Sequence, residues 1–293
     1  MARPLESVPN FSEGRDRATI DALAEALGSQ ARLLDVHADE DHNRSVFTLV
    51  GSEEELVESL LLGIACARER IDLRRHEGAH PRIGAADVVP FVPLAPDDLT
   101  RARAAALQLA GRVGGELGLP AFLYGELGAG RGPSFFRVGG PEQLQRRLDS
   151  GELEPDYGPP RLDERAGAVL VGARRPLIAF NVNLRGPLEA AREIAALVRE
   201  RDGGFPGVRA LGLALPRAGL VQVSMNVEDF EAAALHELVA CVEREAAERG
   251  VEVAGSELVG LMPAGAALAA AGAALRIDGF DASHVLELRL LAE

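Results

Sequence analysis

The sequence has no lysine and no tryptophan, only two cysteines, and aromatic side chains at 4% of its 293 positions. Without a lysine amine it forms no Schiff base, which excludes pyridoxal-phosphate chemistry, and it has no P-loop lysine to grip a nucleotide. All 31 basic residues are arginine, a preference that codon bias toward Arg and Ala explains without any mechanism. So few rings leave no platform for stacking bases, and the core must be built from Ala, Leu and Val. Cys66 and Cys241 lie far apart in apolar stretches without CxxC spacing and are expected as reduced core residues. Nor is there a run approaching the ~18 apolar residues that cross a bilayer, or an apolar signal segment behind the start MARPLESVPNFSEG. The expectation is a soluble, cytoplasmic chain with no membrane partner.

Positive charge is also short: 45 acidic against 31 basic residues give a formal net charge of −14. Such a field repels a nucleic-acid backbone, so no nucleic-acid partner is expected, while small anions can still be held where arginines cluster.

At about 150 residues per domain, the length suggests two domains or two lobes. Periodicity predicts strands near 5–11, 32–38 and 45–51 and helices at 16–28 and 53–71, the second opening on Ser52 as cap with acids in its first turn. A polar stretch, 72–86, precedes an apolar strand at 88–94, a helix at 97–117 and a strand at 121–124. Residues 125–167, rich in Gly and Pro, read mostly as loop with a short helix near 141–149. From 176 onward the order is strand, helix, strand, strand, helix, strand and a final Ala-rich helix, the strand and helix order of ferredoxin-like split βαβ units, and the opening of the chain repeats it. The predicted fold is α/β, of the α+β kind: two ferredoxin-like lobes, 1–174 and 175–293, whose bare sheet faces meet around a ligand cleft.

The densest polar segment runs from Asp72 to Asp87, with His76 and His80, three arginines and Gly and Pro to set a defined turn. Gly78 and Pro81 break any helix that would bring the two histidines onto one face, so a zinc-type HExxH reading fails and no metal is expected. A single imidazole, His80, oriented by a carboxylate, suits general acid–base work near neutral pH, and the segment reads equally as a solvated loop. Asp39 to Ser45, including Asn43 and Arg44, reads as a polar turn in preference to a site, and Asn10 to Gly14 reads equally as a helix-capping turn with Ser12 as one candidate cap. Gly158, Pro159, Pro160, Arg161, Leu162, Asp163, Glu164, Arg165, Ala166 and Gly167 suit either a flexible loop that closes on an anion or a plain linker.

Taken together, VPNFSEGRD, LLDVHADEDHNRSVFTLVG, IDLRRHEGAHPRIGAADVVPFVPL, YGE, PDYGP, VGARRPLIAFNVNL and SELVGLMP resemble the glutamate formimidoyltransferase family over nearly the whole chain. The resemblance implies paired α/β subdomains in a homodimer and transfer of a formimino group from N-formimino-L-glutamate to N5 of tetrahydrofolate, the co-substrate, in histidine breakdown. It implies His80 as the catalytic histidine and the segment from Gly158 to Gly167 as the folate-contacting loop. Asn10, Asp39, Asn43 and Asp87 are counted with the binding residues, and Arg44, Arg82 and Arg174 are the candidates to hold substrate carboxylates.

Three departures from the vertebrate bifunctional enzymes stand out. His37 replaces an Asp that supports the catalytic histidine there, which turns attention to Asp35, Asp39 or Asp87. The folate loop keeps its Gly-Pro start and Gly end but differs between them, and the chain stops where a cyclodeaminase domain would begin. A stand-alone transferase is therefore expected, with its product passed to a separate cyclodeaminase. Two rival readings stay open: formyl transfer between 5-formyltetrahydrofolate and glutamate, and a non-catalytic folate- or anion-binding paralogue.

Overall fold

Proline has no N–H to give to a sheet ladder, and Pro9 divides the first extended segment into β1 (Leu5–Ser7) and β2 (Asn10–Phe11). Both pieces lie between the same two neighbours, so they act as one interrupted strand. The structure is a computed structural model that describes residues 3–291, and the chain divides into two units between Arg175 and Pro176.

In the first unit β1 and β2 lead into α1 (Arg17–Leu27), β3 (Arg32–Asp39), β4 (Arg44–Gly51), α2 (Glu53–Arg70), β5 (Ala86–Pro93), α3 (Leu99–Glu116) and β6 (Ala121–Gly125). Two short helices, α4 (Pro133–Arg137) and α5 (Gly140–Asp149), then precede β7 (Val169–Ala173). The sheet order is β3-β4-β1/β2-β5-β7-β6. Pairings are antiparallel as far as β5, and the β5–β7 and β6–β7 pairs are parallel.

The helix starts follow local chemistry. Ser52 opens α2 with a complete capping box, its hydroxyl accepting from the Glu55 N–H at 3.3 Å while the Glu55 carboxylate accepts from the Ser52 N–H at 2.8 Å. At α1 the cap is Asp16, whereas Ser12, the expected cap, is buried and donates to the Gly84 carbonyl at 2.7 Å. One sheet face carries Phe11, Phe47, Leu49 and Phe91 into a core with Leu23, Leu60, Ile64 and Leu109 of α1, α2 and α3. On the other face a second cluster joins Val88, Phe122 and Leu170 to Phe136, Leu144 and Leu148 of α4 and α5. Part of the segment expected to be mostly loop is therefore a helical cover for β5, β6 and β7, which explains why β5 is buried along its whole length.

The second unit comprises β8 (Ile178–Arg185), α6 (Leu188–Val198), β9 (Val208–Leu215), β10 (Leu220–Val227), α7 (Leu235–Glu248), β11 (Glu252–Val259), α8 (Ala264–Leu275) and α9 (Leu286–Leu291). Its sheet runs β11-β8-β10-β9 and is antiparallel throughout. Val182, Leu184 and Val223 pack with Ile194, Val198, Leu238 and Val242 of α6 and α7. Before α7 begins at Leu235, Asp229 accepts from the Ala232 N–H at 3.0 Å and closes a turn. In both units the strand–helix–strand–strand–helix–strand run places its first strand between its third and fourth.

β7 is joined to the polar stretch before β5 by a tight crossing. Ala85 N–H donates to the Ala166 carbonyl at 2.8 Å and Ala168 N–H to the Ile83 carbonyl at 3.0 Å, with Gly84 opposite Gly167. A Cβ on Gly84 would lie 1.9 Å from the Ala168 carbonyl oxygen. Gly84→Ala should lower stability by about 1–3 kcal/mol, the usual cost of forcing extra volume into a packed site. Chemical denaturation would measure it, and an unchanged midpoint would show that the crossing is loose.

Candidate functional site

The three polar clusters of the sequence meet around Asn43. Its Oδ1 accepts from the Gly14 N–H at 2.9 Å and its Nδ2 donates to the Glu77 carbonyl at 3.0 Å. His76 Nε2 lies 2.9 Å from the Asn43 carbonyl oxygen, and the Ala79 N–H donates to the Asp41 carbonyl at 3.0 Å. Asn43 sits at φ 46°, a left-handed conformation that Asn tolerates better than most side chains. Asp39 closes the same turn by accepting from the His42 N–H at 2.6 Å. The turn reading of residues 39–45 therefore holds, and the turn also ties the 10–14 and 76–82 segments together.

His80 is presented from this frame. Its Nδ1 lies 2.8 Å from the Pro81 carbonyl oxygen, so Nδ1 carries the proton in the neutral ring and Nε2 keeps a lone pair. The orienting group is a carbonyl rather than the carboxylate expected from sequence. His42, buried, stands beside it with ring centroids 6.0 Å apart. Burial pushes the His80 pKa well below 6.5, and Arg44 and Arg137 push the same way, against weaker support from Asp87 and the Pro81 carbonyl.

Asp87, fully buried at the start of β5, lies within electrostatic reach of the imidazole. It accepts from the Ile83 N–H at 2.8 Å, from Arg44 Nη1 at 2.8 Å and from Arg137 Nη2. Arg44 Nε in turn donates to Asn10 Oδ1 at 3.0 Å. Burial alone would raise the Asp87 pKa, but Arg137 and Arg44 outweigh it and hold the carboxylate well below the usual range. Sequence reasoning missed Arg137, which lies on α4 within a stretch read as loop. A basic residue behind two phenylalanines was the only local signal, and it does not say which acid the arginine meets.

Arg82 faces inward. Its Nε donates to the His80 carbonyl at 3.1 Å, its Nη2 to the Gly78 carbonyl at 3.0 Å, and its Nη1 reaches the His76 ring. The guanidinium thus braces the loop that carries His80. Burial and the neighbouring Arg44 lower its pKa to about 10.

The structure brings Asn10, Asp39, Asn43, Arg44, His80, Arg82 and Asp87 together. Ala166 and Gly167 join them through the backbone crossing to Ile83 and Ala85, but Asp163 and Arg165 turn to the end of α2, and Arg161 and Glu164 pair with each other. Arg165 donates to the Glu69 carbonyl at 3.2 Å, and Asp163 lies 3.7 Å from Arg68. Gly158, Pro159, Pro160, Arg161 and Glu164 are exposed, and Leu162 donates its N–H to Gln145 Oε1 at 2.9 Å. Arg174 stands apart: its N–H donates to the Phe91 carbonyl at 3.1 Å, four residues along β5 from Asp87, or about 13 Å of strand. Among the described residues no group of three or more His, Cys, Asp or Glu is placed to hold a metal ion, and no helix is long and apolar enough to cross a membrane.

Fold and site define an α+β protein in which a neutral imidazole is set among arginines, an arrangement suited to acid–base chemistry on an anionic substrate. Comparison with known proteins narrows the class. A family model described as formiminotransferase domain, N-terminal subdomain, matches residues 4–174, and one described as formiminotransferase domain matches residues 179–279. The chain is 39% identical to the glutamate formimidoyltransferase of Thermoplasma acidophilum, over 98% of this chain and 97% of that protein. It is likewise 39% identical to that of Streptococcus pyogenes serotype M1, over 99% and 100%. Identity to the formimidoyltransferase-cyclodeaminase of Rattus norvegicus is 41%, over 92% of this chain and 52% of the rat protein. The chain belongs to the glutamate formimidoyltransferase family.

Because burial and two arginines disfavour the imidazolium, His80 should stay neutral as the pH falls through 6.5 and charge only well below it. An NMR titration of its ring proton checks this, and a midpoint at or above 6.5 would show that the arginines do not act on the ring.

Proposed function

We propose that this chain transfers the formimino group of N-formimino-L-glutamate to N5 of tetrahydrofolate, giving 5-formiminotetrahydrofolate and L-glutamate. The observation that carries the reading is the state of His80: neutral, its Nδ1 committed to the Pro81 carbonyl, its Nε2 lone pair left for a substrate. Family membership supplies the substrates.

N5 of tetrahydrofolate attacks the amidine carbon, a C–N bond forms, and the C=N π pair moves onto the imino nitrogen, from which it re-forms the double bond when glutamate leaves. The attacking nitrogen then loses its proton to His80 Nε2. The imidazolium returns that proton to the glutamate nitrogen, the bond from that nitrogen to the former amidine carbon breaks, and glutamate leaves as the amine. Protons and electron pairs balance, and one imidazole serves as base and then as acid. Holding both substrates together supplies much of the remaining acceleration. The step as written draws on no metal and no covalent enzyme intermediate.

In this reading Arg44, Arg82 and Arg174 supply the positive field that draws the substrate carboxylates, so an acidic protein binds acidic ligands locally. Asn10, Asp39, Asn43 and Asp87 hold the surrounding turns in place. The segment from Gly158 to Gly167 contacts folate, its backbone crossing to Ile83 and Ala85 keeping it beside the His80 loop. The two lobes are ferredoxin-like, the working form is a cytoplasmic homodimer, and the product passes to a separate cyclodeaminase.

A transfer assay with the two substrates, read by mass spectrometry of the folate product, tests the proposal. His80→Ala should lower kcat by roughly 10²–10⁴-fold and leave tetrahydrofolate affinity nearly unchanged. Folded wild-type protein that fails to form the product would overturn the reading, and turnover only with 5-formyltetrahydrofolate and glutamate would replace it by formyl transfer.

A further inference from the structure

Asp87 has more cations than it needs. Its carboxylate is satisfied by the Ile83 N–H and by the Arg44 guanidinium, a one-to-one charge pair already complete. Arg137 is a second guanidinium on the same Oδ2, and among the described residues Asp87 is its one acidic partner. The third arginine of the cluster, Arg82, meets carbonyls and the His76 ring. Two guanidinium groups thus share one carboxylate, and the third lies within electrostatic reach of them. Burying cationic charge without a counter-charge is costly, so such an excess marks a place where an anion belongs.

The geometry at Arg137 says more. Its Nε is buried and makes no hydrogen bond, a lapse that normally costs a charged donor more than a neutral one. The residue before it anchors its backbone, because Phe136 is fully buried and packs tilted against Phe122 with ring centroids 5.1 Å apart. Arg137 is also among the charges that act on His80, so it lies within electrostatic reach of the imidazole.

We infer that Arg137 is a specificity-determining residue that binds the α-carboxylate of the amino-acid donor. The inference rests on the formimino-transfer reading. In that donor the nitrogen released beside His80 is bonded to Cα, which bears the α-carboxylate, whereas the side-chain carboxylate lies two methylenes further away. A cation near the proton-transferring ring therefore meets the α-carboxylate first. Its planar fork suits two parallel hydrogen bonds to the two oxygens.

The test compares two donors in Arg137→Gln: N-formimino-L-glutamate, and the N-formimino derivative of 4-aminobutyrate, which keeps only the distal carboxylate. Loss of a buried charged partner should lower kcat/KM for the first donor roughly 30-fold or more and for the second by less than about threefold. A merely structural arginine would weaken both donors equally, and that result overturns the inference. The variant is expected to fold, since Asp87 keeps Arg44 and the Ile83 N–H, and Arg137→Lys, which keeps the charge but loses the fork, should fall between wild type and Gln. Calorimetric binding of L-glutamate gives a readout that needs no turnover. If wild-type protein binds glutamate but transfers nothing, the functional reading fails while weaker binding by Arg137→Gln still supports the arginine. Equal binding by both proteins overturns the arginine alone.

Discussion

A carboxylate taken out of water holds the site together. Asp87 is fully buried, and an ion of that kind persists only where charge and hydrogen bonds replace its hydration. Here the replacements come from a loop N–H, from the start of β4 through Arg44, and from α4 through Arg137. One side chain therefore ties together three segments, one of them the loop that carries His80. Removing it would leave two buried guanidinium groups facing each other, so its role in positioning exceeds the value of either ion pair alone.

The same arrangement explains how an imidazole can serve as a base in this molecule. A carboxylate against its Nδ1 would raise its pKa, whereas the Pro81 carbonyl fixes the tautomer with far less influence on charge. Arg44 and Arg137 then disfavour the imidazolium from one side and burial from the other. The protein as a whole carries a charge of −14, yet arginines cluster around His80, which shows how little net charge says about any one site.

Much of the fold was legible because its signals are local. The Ser52 capping box, the apolar repeat of α2 and the alternation of β8 and β10 each operate within a few residues, and all appear where periodicity places them. The expectation failed where weak local signals are overridden by packing. Gly and Pro between 125 and 167 suggested loop, but Pro133 suits the first turn of α4, and Phe136 gains enough from the cluster with Phe122 and Leu170 to hold a five-residue helix in place. Ser12 looked like a cap because it precedes a helix, but its hydroxyl, instead of accepting from a helix N–H, is buried and donates to the Gly84 carbonyl.

The sequence by itself determined the alternation of strands and helices, the loop that carries His80 and the family to which the chain belongs, since these are written in short contiguous runs. Only the tertiary structure decided what surrounds the histidine: that a carbonyl orients it, that Arg82 turns inward as a brace, and that Arg137 joins Arg44 on Asp87. The physical reason is range. Helical and strand periods are set by neighbours along the chain, whereas the Asp87 pairs join residues 43 and 50 positions apart. Which charges meet across such separations depends on how the sheet and its two helical covers close around them.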